Sequence, residues 1–124
     1  MLVTSLLGHK GQFLIEDDNG NTMFESCGTD IAVVRDSTEE SYDRELEIKS
    51  HYCSVTTGKH MAEFLKETHM MSYVDTLIAN RVFRSLNDFL KKAEIMHVRD
   101  DRISVVYTNK KGELTSYKLD LTDY

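Results

Sequence analysis

The run Tyr52-Cys53-Ser54-Val55-Thr56-Thr57-Gly58-Lys59-His60 is the densest group of chemistry-bearing side chains in the chain. It places a thiol, hydroxyls, an ammonium and an imidazole where a strand pattern gives way to a helix pattern. A helix N-terminus presents unpaired amides at the positive end of its dipole. Thr56, Thr57, Lys59 and His60 are therefore candidate ligands for a phosphate or carboxylate. The run is not a P-loop, because the leading glycine of GxxxxGK[ST] is missing. The plainer reading is a threonine N-cap, an exposed lysine and a packed histidine. Cys53 and His60, taken as thiolate and base, lack a third group to orient them, so no catalytic residue is assigned.

The five histidines, His9, His51, His60, His69 and His97, form no HxxxH or HExxH pattern. No metal site follows from spacing, and an ion would need tertiary convergence. Asp17-Asp18-Asn19-Gly20 falls short of a calcium loop, since position twelve is Gly28 rather than Glu. Cys27 and Cys53 read as buried free thiols, with no CxxC motif. No cofactor is expected.

Charge is unevenly spread. The chain carries 15 Lys and Arg against 21 Asp and Glu, a net charge of −6. Asp36 to Glu47 alone holds six acids and one base, while Arg81 to Lys118 holds nine bases and five acids. Net acidity argues against general coating of nucleic acid. Glu39, Glu40, Asp43, Glu45 and Glu47 are the candidate partner-binding residues, as rim charges that steer a protein partner. The alternative is a nucleic-acid or nucleotide binder. It would use Thr57-Gly58-Lys59 or the basic Arg81, Arg84, Lys91, Lys92, Lys110 and Lys111, though no RNP-type aromatic string supports it.

The elements that must position these groups follow from periodicity. Gln12 to Glu16 and Thr22 to Glu25 flank an Asn-Gly turn, Ile31 to Arg35 follows Cys27-Gly28-Thr29, and Glu45 to Lys49 alternates with period two. Leu2 to Leu7 is a further candidate strand. Between about 57 and 97, apolar stripes predict three short helices: Met61, Phe64, Leu65 and Thr68; Val74, Leu77, Ile78 and Val82; Leu86, Phe89, Leu90 and Ala93. Thr56 or Thr57, Ser72 with Asp75, and Ser85 with Asp88 are the expected caps. Ile103 to Tyr107 and Glu113 to Leu121 form a last hairpin around Asn109-Lys110-Lys111-Gly112. The expected fold is α+β in strands–helices–strands order: one antiparallel sheet with three short helices packed on one face, in a single domain over 1–124. The longest apolar run, Ile31 to Val34, is too short to span a membrane. With no basic n-region at the start, the expected location is the cytoplasm.

Phe24-Glu25-Ser26-Cys27-Gly28-Thr29-Asp30-Ile31-Ala32-Val33, and then Tyr52 to His60 with Phe64-Leu65, resembles an uncharacterised family of small phage and mobile-element proteins. Its members have a short sheet running into a helix that starts Thr-Thr-x-Lys-His. The resemblance covers about residues 11–68; the 36–43 insert is longer and more acidic here, and residues 72–124 have no counterpart. It carries no activity, ligand or site residue. What it implies is an accessory protein of phage origin, acting in the cytoplasm of an infected bacterial host. The expectation is a non-enzymatic protein that binds and modulates a host or anti-phage-defence protein, for example as an anti-CRISPR-like inhibitor. A homodimer through an edge strand such as Glu113 to Leu121 is a further expectation.

Overall fold

The computed structural model describes residues 1–36, 43–51 and 55–121. Eight strands form one sheet in sequence order, each antiparallel to the next. They are β1 (Leu2–Ser5), β2 (Gln12–Glu16), β3 (Asn21–Ser26), β4 (Thr29–Asp36), β5 (Asp43–Ile48), β6 (Ala93–Arg99), β7 (Arg102–Thr108) and β8 (Leu114–Asp120). A 3₁₀ turn at Leu6–Gly8 follows β1. Three helices, α1 (Val55–Glu67), α2 (Met71–Ala79) and α3 (Leu86–Lys92), lie in the connection between β5 and β6. The fold is α+β, and the two β-rich ends of the chain meet in one sheet at the β5–β6 pair.

Turn chemistry sets the hairpins. Cys27 and Gly28 both take positive φ (49° and 84°) between Ser26 and Thr29, which face each other. Two positive φ values give the turn a twist that matches the strands. Cys27 is therefore exposed, not buried as expected, because it occupies a turn corner. Cys53 lies outside the described residues. Asp17 closes the β2–β3 turn by accepting from the amides of Asn19 (2.8 Å) and Asn21 (3.0 Å) and from the Asn21 side chain (2.8 Å). Those bonds to Asn21, and then the one to Asn19, favour the ionised carboxylate and lower its pKa.

Register separates two faces. Leu14, Phe24, Ala32 and Ile48 stand opposite one another in succession, as do Val34, Leu46, Met96 and Val105. These join Met61, Phe64, Leu65, Met70, Val74, Leu77, Phe83, Phe89 and Leu90 in one core. The Phe24 and Phe64 rings stack at 5.6 Å between centroids, and Phe83 meets Phe89 and Tyr107 edge-on at 5.1 and 5.2 Å. The helices do not all lie along one face as expected. Each contacts the other two, and α1 also approaches β3 and the 3₁₀ turn. Short connections fold α2 and α3 back on their neighbours before either can run along the sheet.

The helix ends explain three further corrections. α1 starts at Val55, ahead of Thr56 and Thr57, so neither threonine is its cap. α2 starts at Met71 with Met70 at its N-cap and no side-chain cap, so Ser72 and Asp75 form no capping box. Met70 is fully buried, and its amide bonds the Leu65 carbonyl (2.8 Å) while His69, at φ 59°, bonds Lys66 (3.1 Å). That paired closure of α1 leaves too little chain to delay α2. Arg44 completes the α1 terminus by donating to the carbonyls of Thr68 and His69 while pairing with Asp36 at 2.6 Å. Ser85 does cap α3: its hydroxyl accepts from the Asp88 amide (3.2 Å), and Asp88 accepts from the Arg84 amide (3.0 Å). α3 ends at Lys92, and Ala93 begins β6 rather than extending the helical stripe. The seam beside β5 claims Met96 and Val98 for the core, and alternation overrides the 3.6 period there.

Candidate functional site

Two groups of side chains stand apart from the core. The first lies on the sheet face opposite it, where Arg35, Glu45, His97, Ser104 and Lys118 are successive cross-strand neighbours. Arg35 binds Glu45 at 2.7 Å and Glu47 at 2.8 Å. The Glu47 carboxylate holds the guanidinium pKa above its ordinary value, burial opposes this, and Glu45 reinforces it. His97 lies 3.4 Å from Glu45, and Arg99 lies 3.3 Å from Asp43. Beside this ladder runs an apolar row of Ile15, Met23, Val33, Ile95 and Val106, interrupted by Glu47. A groove of about 260 Å³ is lined by Asp43, His97, Arg99, Arg102, Ser104 and Lys118.

Of the five expected partner-binding acids, Asp43, Glu45 and Glu47 therefore share one face of β5, each ion-paired. Glu39 and Glu40 lie outside the described residues. β5 is an inner strand, so its neighbours supply the countercharges and the expected acidic patch is a mixed one. Arg35, His97 and Arg99 were missed by sequence reasoning, because strand partners cannot be known before strand order is.

Of the expected anion ligands, the Thr56 side chain lies outside the described residues. Thr57, Gly58, Lys59 and His60 all lie inside α1: Thr57 and His60 are buried and Lys59 is exposed. Successive helical residues are turned about 100° apart, so a lysine and the histidine after it cannot face one ligand. The basic residues are also dispersed. Arg81 follows α2, Lys91 and Lys92 are on α3, and Lys110 and Lys111 are in the β7–β8 turn. Lys92 is already paired with Asp88 at 2.8 Å.

The second group lies where α1 meets the 3₁₀ turn. His60 and Glu63 are three apart on α1, hence on one side of it. His9 comes from the segment between the 3₁₀ turn and β2. The His9 and His60 rings are 4.5 Å apart, and His9 Nε2 is 3.2 Å from Glu63 Oε2. His60 is only 8% exposed. Among the described residues, its Nδ1 is buried without a hydrogen-bond partner. One ligand atom from each of the three residues lies within 4.8 Å of the others. The only signal in the sequence was the His60-x-x-Glu63 spacing, because four strands separate His9 from α1.

The model of the Family of unknown function (DUF8033) matches residues 3–82, and the chain belongs to that family. The matched span runs from β1 past α2 and includes His9, His60 and Glu63, along with β2 to β5. No curated protein and no solved structure matches the chain. Among the described residues, no helix is long and apolar enough to cross a membrane.

Proposed function

We propose that this chain is a non-enzymatic accessory protein of phage type that binds a host or defence protein through the outer face of its sheet. The observation that carries the reading is the combination on that face: a cross-strand ladder of paired charges beside an apolar row. An apolar strip supplies burial, and flanking charges fix orientation and exclude partners of the wrong pattern. Asp43, Glu45 and Glu47 act within this ladder rather than as a free acidic rim. Arg102 and Lys118 in the adjoining groove receive an acidic side chain of the partner.

The test is capture from lysate of an infected bacterial host with the full chain as bait. Arg102→Glu with Lys118→Glu is expected to abolish capture of a specific protein, while Lys111→Glu in the β7–β8 turn leaves it intact. Capture unaffected by the groove reversals would defeat the reading. So would tight binding of DNA or RNA that falls steeply between 50 and 200 mM salt, the signature of phosphate contacts.

A further inference from the structure

We propose that His9, His60 and Glu63 bind one divalent transition-metal ion of the zinc class, and that the ion clasps the 3₁₀ turn after β1 to α1. Two imidazoles and one carboxylate are a donor set that suits zinc and its first-row neighbours, whereas magnesium and calcium take oxygen alone. Ligand atoms around a tetrahedral zinc with bonds near 2.0–2.1 Å lie about 3.3 Å apart. His9 Nε2 and Glu63 Oε2 already stand at 3.2 Å. All three donors fall within 4.8 Å of one another, so a small turn of the rings closes the set.

Burial supplies an independent reason. His60 Nδ1 is buried, with no hydrogen-bond partner among the described residues. A buried polar atom left unsatisfied costs about 1–3 kcal/mol, and a metal bond removes that cost. The His9 side chain is 39% exposed and the Glu63 side chain 19%, which leaves a path from solvent and a free coordination position. The ion would tie two parts of the fold separated by four strands, and so would stabilise the native state alone.

The test uses the full chain stripped of metal with a chelator. Calorimetric titration with zinc chloride is expected to show one ion per chain and a higher Tm. Cobalt chloride is expected to give visible absorption bands of a nitrogen- and oxygen-ligated ion. His9→Ala and Glu63→Gln alter partly exposed side chains and are expected to keep the far-ultraviolet circular dichroism of the parent. Each should weaken binding by at least about tenfold and remove the cobalt bands. Lys59→Ala, Cys27→Ser and His97→Ala should leave both intact. The proposal is overturned if zinc and cobalt do not bind at one per chain. It is equally overturned if binding survives His9→Ala and Glu63→Gln, or is lost with Cys27→Ser or His97→Ala.

Discussion

The outer face of the sheet and the His9–His60–Glu63 cluster both bring acids and bases together, on opposite terms. On the outer face every carboxylate among Asp43, Glu45 and Glu47 has a cation within 3.3 Å. The acids are 25–38% exposed and their arginine partners 38–69%, so water screens each pair and its share of stability is small. In the cluster, a histidine only 8% exposed carries a nitrogen without a partner among the described residues. A surface of paired charges presents a pattern for another protein to read. A buried nitrogen without a partner is a place where a ligand can bind at little desolvation cost.

The sharpest way to break the cluster while sparing the ladder is through α1. Phe64, next to Glu63, is fully buried and stacked on Phe24. Phe64→Ala should cost about 3–5 kcal/mol in urea denaturation. A loss below 1 kcal/mol would mean that α1 is not the anchor described here. Next in size is His60→Leu, which replaces the imidazole and its unpartnered Nδ1 with an apolar group. Metal-free stability should rise by about 1 kcal/mol while zinc ceases to raise Tm. A large destabilisation would show that the imidazole is satisfied as it stands.

On the ladder, Arg35→Ala removes the shared partner of Glu45 and Glu47. The expected loss is no more than about 1 kcal/mol, shrinking further in 1 M salt. A loss of several kcal/mol would erase the contrast between the two regions. The smallest effect concerns Asp17, whose folded pKa lies below its unfolded value near 3.8. Its contribution is present above the unfolded value and is lost as pH falls through the folded one. Tm measured from pH 5 downward should therefore fall less steeply in Asp17→Asn than in the parent.

Much of the fold was legible because strands and turns are local. Alternation marked β5 and β8, the turns at Asn19-Gly20, Cys27-Gly28 and Asn109–Gly112 marked β2, β3, β4 and β7 beside them, and Leu2 to Leu7 stood as a candidate for β1. β6 was not legible. Ala93 falls at the next position of the Leu86, Phe89, Leu90 stripe, and only pairing with β5 and β7 makes Ala93–Arg99 a strand. Ser85 could be read as a cap because its bonds stay within one turn. Ser72 could not be ruled out as one, since Met70 is decided by burial in the core. The acids of β5 were visible as acids, but Arg35 and Arg99 became their partners through registers that no local rule supplies.

By itself, then, the sequence determined the α+β class, the period of most elements and the turn chemistry, all of which act over a few residues. Tertiary structure alone decided that the two β regions join at β5–β6, that Asp43, Glu45 and Glu47 are paired with cations across strands, and that His9 meets His60 and Glu63. The physical reason is shared by all three. Each depends on which apolar surfaces bury together, and burial is a property of the whole chain rather than of any segment of it.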